Sequence, residues 1–274
     1  MKKYGLIEQR HYICRKRTLM KFTFLGTGTS QGVPVIACNC SVCCSEDPCD
    51  KRLRSSFMVE TDGLRIVIDC GPDFRQQMLR ERVSTIDAIL ITHDHKDHLG
   101  GLDDVRAFNY FNGRPTDVYS TPGVQRSIRR EFSYAFHKEP YPGVPEINLR
   151  KINNKPFHIG DLQIIPIKAL HYGTSNFVFG YRIKELTYIT DAVKIEEPEK
   201  KKIRGSEVVI VNALREKKHY SHFNLEEAIA LLTELRPRQG FITHISHQMG
   251  LHQEVGGQLP QFISLAYDGL SGSL

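Results

Sequence analysis

Between Ile91-Thr92 and Leu99-Gly100-Gly101 the chain carries His93-Asp94-His95-Lys96-Asp97-His98, where every residue but Lys96 can bind a metal ion. The run follows directly on an apolar, strand-like segment, Ala88 to Thr92. Side chains in extended backbone alternate with a period of two, so His93 and His95 face one side and can share one ion. Asp97 and His98 lie past that point, where a turn begins, and can reach a second. A solvated polar loop is the competing reading, but so dense a set of ligands at the end of a buried strand favours a metal centre.

The same punctuation recurs along the chain. Ile68-Asp69, Leu170-His171, Ile189-Thr190-Asp191 and Ile242-Thr243-His244 each place a His or Asp where an apolar run stops. Ligands at the ends of several strands converge on one edge, held by rigid strands while the following loops leave room for substrate. Strands are expected at Lys21 to Leu25, Ser56 to Thr61, Arg65 to Ile68, Ala88 to Thr92, Val118 to Ser120, Leu162 to Ala169, Asn176 to Ile183, Leu186 to Thr190, Glu207 to Asn212 and Gly240 to His244. Helices are expected at Phe74 to Arg80, Gly123 to Phe136 and Leu225 to Glu234, the last opened by a capping box of Asn224 and Glu227. Many strands with few intervening helices point to two packed sheets with helices outside, rather than to a doubly wound parallel sheet. No internal repeat interrupts the chain, which reads as one domain over residues 20–274, preceded by an extension, residues 1–19, or an upstream start at Met1.

The motif His93-x-His95-x-Asp97-His98 with Gly100-Gly101 resembles the signature of the metallo-β-lactamase superfamily. The resemblance covers most of the chain from Met20 onward and implies an α+β, αββα sandwich of two mixed sheets flanked by helices. It implies His93, His95 and His171 on one divalent metal, Asp97, His98 and His244 on a second, and Asp191 bridging, with Asp69 orienting the His-rich loop. Such a set of nitrogen and oxygen donors suits zinc, and equally manganese or iron. Each metal keeps the open position that hydrolysis requires.

Four of the seven cysteines, Cys38, Cys40, Cys43 and Cys44, crowd into seven positions. With no apolar leader to indicate secretion, this favours thiolates on a metal over a disulfide framework. Cys38, Cys40 and Cys43 leave a tetrahedral zinc one ligand short, which Cys44, Cys49 or a remote histidine can supply. Cys38-x-Cys40-x-x-Cys43 after Gly26-Thr27-Gly28-Thr29-Ser30, with His247 three residues beyond His244, is similar to the PhnP branch of the superfamily, and implies His247 as the fourth ligand of a structural zinc.

That branch comprises cyclic-phosphate phosphodiesterases. Two cations about 3.5 to 4 Å apart acidify the water between them and neutralise phosphoryl charge, so a small, linear or cyclic phosphodiester is the expected substrate. His222 stands where the branch carries a histidine that binds no metal, which implies a general acid; Asp191 and Asp97 complete the catalytic set. Two other readings stay open: a non-catalytic binding or carrier protein like PqqB, and a nuclease that processes transfer-RNA 3′ ends. His11, His137, His158, His219 and His252 read as surface or packing histidines, although His137 lies in a region that could cover the site. The net charge is +6, but Lys2, Lys3, Arg10, Arg15, Lys16 and Arg17 against Glu8 account for most of it. The near-neutral body disfavours nucleic acid as a partner. No apolar stretch approaches the roughly 18 residues that span a bilayer, so a cytoplasmic chain without a membrane partner is expected, with homodimerisation left open.

Overall fold

The computed structural model describes residues 19–139, 141–172 and 177–274. The expected extension, apart from Leu19, lies outside these residues, as do His11, Cys14 and Asn176.

In β2 (Ser56–Thr61), Phe57 and Val59 join one apolar cluster while Met58 between them joins another. The alternation repeats in β3 (Leu64–Ile68), β4 (Ala88–Leu90) and, in the second half of the chain, β11 (Val208–Asn212), where Val208 and Ile210 face one way and Val209 and Val211 the other. Strands buried on both faces must sit in the middle of a layered structure. The three clusters are the three interlayer spaces. The innermost lies between two sheets, and includes Phe24, Phe57, Ile68, Tyr181, Tyr188 and Ile210. The other two lie under the outer helices. The result is the expected αββα sandwich.

The first sheet also contains β1 (Lys21–Gly26), β5 (Thr116–Ser120), β6 (Ile147–Lys151) and β14 (Ser271–Ser273), in the order β14-β1-β2-β3-β4-β5-β6. The second contains β7 (Phe157–Ile159), β8 (Leu162–Leu170), β9 (Phe177–Ile183), β10 (Leu186–Tyr188), β12 (Gln239–Thr243) and β13 (Ile263–Leu265), in the order β13-β12-β11-β10-β9-β8-β7. Each sheet is antiparallel in one half and parallel in the other. A parallel pair needs a crossover connection. α1 (Phe74–Arg80), α2 (Lys96–Leu99) with α3 (Val105–Asn112), and α4 (Pro122–Glu131) supply these in the first sheet. α5 (Glu197–Ile203), α6 (Leu225–Leu235) and α7 (His252–Gly256) supply them in the second.

Several boundaries differ from those read in the sequence. β4 and β10 stop at Leu90 and Tyr188, two residues before the expected ends, because the chain already turns toward the site. The helix expected through Phe136 ends at Glu131. Phe132 leaves helical geometry (φ −107°, ψ 38°) to bury its ring in the outer core, and Ser133–Phe136 forms a separate 3₁₀ turn. α2, α3, α5, α7 and strands β6, β7, β13 and β14 were not expected from the sequence; most are short or carry weak periodicity, and packing specifies them. The capping box at Asn224 is formed, with Asn224 Oδ1 accepting from Glu227 N at 2.9 Å and Glu227 Oε2 accepting from Asn224 N at 3.1 Å. A cap of this kind stabilises a helix by about 1 kcal/mol. Here it also fixes the loop that carries His222.

Candidate metal centre

Asp69, His93, Asp191 and His244 all lie just beyond the carboxyl ends of strands, the edge of an α/β sheet where ligands bind. Asp69, Asp191 and His244 take left-handed backbone (φ 65°, 58° and 57°). Such conformations carry a cost in non-glycine residues and are kept where surrounding structure enforces them. The turn after β3 can press against the His-rich loop only because it is glycine: a Cβ on Gly71 would lie 2.0 Å from Asp97 O, and one on Gly101 2.1 Å from Gly71 O.

Two groups of donors result. Nitrogens of His93, His95 and His171 come within 4.8 Å of one another, and so do donor atoms of Asp97, His98, Asp191 and His244. The histidine triplet and the Asp97, His98 and His244 group have the membership that the resemblance implied, while Asp191, implied as a bridge, falls with the second group. Asp191 touches both sides of the second set, with Oδ2 3.1 Å from His98 Nε2 and Oδ1 3.2 Å from His244 Nε2. It also joins a third group with His171 and His222.

The surrounding hydrogen bonds set which ring nitrogen each histidine turns inward. Asp69 Oδ1 accepts from Thr92 N and Oδ2 from Thr92 Oγ1, both at 2.8 Å. The Thr92 hydroxyl hydrogen is thereby engaged with Asp69, so the oxygen accepts from His93 Nδ1 at 3.0 Å. His98 Nδ1 donates to Asp69 Oδ2 at 2.7 Å, and His171 Nδ1 to the Ser221 carbonyl at 3.0 Å. Ser55 Oγ donates to Gly28 O at 2.9 Å, so it accepts from His244 Nδ1 at 3.2 Å. Four rings are thereby pinned through Nδ1 with Nε2 facing the centre, the arrangement that prepares imidazole for a metal. His95 is turned the other way, with Nδ1 3.4 Å from His171 Nε2.

Charge and satisfaction point the same way. His93 Nε2 is buried without a hydrogen-bond partner, and buried polar atoms are seldom left so. Burial holds His93 well below the usual histidine range and His244 down to about 4, which keeps both neutral and able to ligate. For His98 burial also opposes charge, but Asp97, Asp191 and Asp69 outweigh it and draw positive charge onto the ring. Such a constellation of buried carboxylates and imidazoles fits divalent cations.

His222 follows the loop after β11 and sits beside this centre, its Nε2 2.8 Å from Asp191 Oδ1 and its Nδ1 2.8 Å from Ser221 Oγ. Ser221 Oγ is also 3.0 Å from Nδ1 of His219. His219 thus lines the cavity, a place that its reading as a surface or packing histidine did not anticipate; nothing in its local sequence distinguishes it. An open cavity of about 370 Å³ is lined by Asp97, His171, Asp191, His222 and His244 among others. His137, His158 and His252 do not line it; His252 instead lies 3.1 Å from buried Arg52.

The cysteine cluster converges in the same way. His247 Nδ1 lies 3.2, 3.4 and 3.5 Å from the sulfurs of Cys38, Cys40 and Cys43. The amides of Cys43 and Val35 donate to the sulfurs of Cys40 and Cys43. The Cys43 amide brings Cys40 down to about 6, whereas burial pushes Cys43 up to about 11. Three sulfurs and one imidazole within reach of one another are donors that could hold one metal ion. Cys44 and Cys49 stand outside it.

Residues 64–245 match the beta-lactamase superfamily domain. The chain belongs to the beta-lactamase superfamily, whose fold it shares. Within that class it is similar to a new diphosphatase from the PhnP family, whose crystal structure superposes with a TM-score of 0.87 and 37% identity over 93% of this chain and 97% of that one. An octanoyltransferase of Porphyromonas gingivalis (strain ATCC BAA-308 / W83) is 41% identical over 254 residues, 92% of this chain and 51% of that protein, so the chain spans about half the length of that relative. Coenzyme PQQ synthesis protein B of Methylorubrum extorquens (strain PA1) is 29% identical over 221 residues, 70% of this chain and 72% of that protein. Among the described residues no helix is long and apolar enough to cross a membrane.

Proposed function

We propose that the chain is a metal-dependent phosphodiesterase acting on small linear or cyclic phosphodiesters. The observation that carries this reading is the pair of donor groups meeting at Asp191 on the wall of a cavity that also receives His222. In this reading His93, His95 and His171 hold one divalent cation, and Asp97, His98 and His244 a second, with Asp191 between them. Zinc, manganese and iron all suit these donors. Cys38, Cys40, Cys43 and His247 hold a structural zinc. The cation pair would supply Lewis acidity for a phosphoryl group and for the attacking water.

The chain's own residues do the rest. Thr92, Asp69, Ser221 and Ser55 hold the imidazoles in fixed tautomers. His222 Nε2 carries the proton that it donates to Asp191 Oδ1. Acting as the imidazolium, with Nδ1–H toward Ser221 Oγ and Nε2–H toward Asp191 Oδ1, His222 passes the Nε2 proton to a leaving oxygen beside that carboxylate and is left as neutral imidazole, as general acid catalysis of alkoxide expulsion requires.

The PhnP-family diphosphatase supports this class, because a diphosphate linkage and a phosphodiester share a disubstituted phosphoryl centre. The octanoyltransferase is about twice as long as this chain, which matches 51% of it, so its name does not carry acyl transfer to this site. The deciding experiment is hydrolysis by metal-reconstituted protein of a panel of linear, 2′,3′-cyclic and 1,2-cyclic phosphodiesters together with diphosphate diesters. Turnover of the diphosphates alone would move the reading to a diphosphatase. No turnover by a fully metallated sample would favour a binding or carrier protein.

A further inference from the structure

Two aromatic side chains at the cavity mouth have no role in the core. Tyr172 is 59% exposed and Tyr220 73% exposed, and neither packs against any of the three apolar clusters. They nevertheless meet each other, with ring centroids 6.1 Å apart at 69°. Tyr220 also rests against His219, at 4.5 Å and 31°. Both tyrosines line the cavity that holds Asp97, Asp191 and His222. Single exposed aromatics are ordinary, whereas a cluster of them at a polar site points to a ligand.

Their position relative to the centre is fixed by the backbone. Tyr172 directly follows His171 and Tyr220 directly precedes Ser221, and those neighbours are joined by the 3.0 Å bond from His171 Nδ1 to Ser221 O. Arg215 ties down the start of the second loop, donating from Nη1 to Gln248 Oε1, from Nε to Lys217 O and from Nη2 to Lys218 O. The backbone that carries the two rings is thus tied to the metal-site residues beside them, which reduces the ordering cost of binding a planar partner.

We propose that Tyr220, supported by His219 and flanked by Tyr172, is a stacking surface for an aromatic base, so that the substrate is a nucleotide-type phosphate ester whose phosphoryl group lies at the metal centre. This rests on the phosphodiesterase reading for the orientation of the phosphate, but stacking itself is measurable without turnover. Stacking is tolerant of base identity, because every base has a π face.

The test compares adenosine 5′-monophosphate with ribose 5-phosphate, which differ by the base alone, in calorimetric titrations of the metal-loaded protein. The nucleotide should bind about 10-fold or more tightly than the sugar phosphate, the range expected for one stacked base. Tyr220→Ala should remove most of that difference while ribose 5-phosphate affinity moves by less than about twofold. Tyr220→Phe should preserve it, since the ring and not the hydroxyl is used. Equal affinities for the two ligands in wild type, binding of neither, or equal weakening of both by Tyr220→Ala would overturn the stacking surface. Base-dependent binding without hydrolysis of any phosphodiester would keep the surface and overturn the phosphodiesterase reading.

Discussion

His98 Nδ1 donates a 2.7 Å hydrogen bond to Asp69 Oδ2, and neither side chain is exposed to solvent. The same carboxylate receives the amide and hydroxyl of Thr92, and through that hydroxyl it steers His93. Asp69 therefore orients one histidine of each donor group without entering either.

Replacing Asp69 with Asn keeps the shape and tolerates the left-handed backbone, but the amide nitrogen cannot accept a hydrogen bond. Metal affinity should fall by about 10- to 100-fold, the usual effect of losing a partner behind a ligating histidine. Chelator competition measures this. Unchanged affinity would remove Asp69 from the orienting role.

Metal analysis of the purified protein should approach about three ions per chain, two in the cluster of histidines and aspartates and one on the thiolates. A chelator should abolish hydrolysis before it unfolds the chain, because the first site faces the cavity and the second has four protein ligands. Simultaneous loss of activity and of the folded circular dichroism signal would contradict this separation.

Cys40→Ser and His247→Ala should each lower the melting temperature by about 10 °C or more, because structural zinc contributes its binding energy to folding. His247 and His244 follow the same strand, β12, so the thiolate loop and the hydrolytic centre are mechanically joined. Thermal melts with zinc quantification check this. Wild-type stability with zinc retained would exclude the site.

His222→Ala should leave metal content and melting temperature near wild type while kcat on substrates with an alkoxide leaving group falls by about 10²- to 10⁴-fold. A nitrophenolate leaves without a proton, so its ester should lose much less. The contact with Asp191 makes the metal measurement decisive: loss of metal would make His222 a ligand, and equal losses on both substrates would make it a positioning residue.

The local signals in the sequence carried the metal-binding run, the strand-end placement of Asp69, His171, Asp191 and His244, the crowded cysteines and the capping box at Asn224. Each depends on neighbours a few residues apart or on the period of a buried strand, and these are properties of the chain itself. Family resemblance, and not spacing, grouped the ligands and selected His247. The tertiary structure decided what local signals do not encode. Ser55 reaches His244 and Ser221 reaches His171 across long stretches of chain, and polar residues of this kind look alike in sequence whether they orient a ligand or face water. His219, Tyr172 and Tyr220 became one surface only when a hydrogen bond brought the loops after β8 and β11 together. Of the helices in the parallel crossovers, α2, α3, α5 and α7 were hidden for a related reason: their stability comes largely from the sheet they cover, and isolated segments of that length have little helical preference of their own.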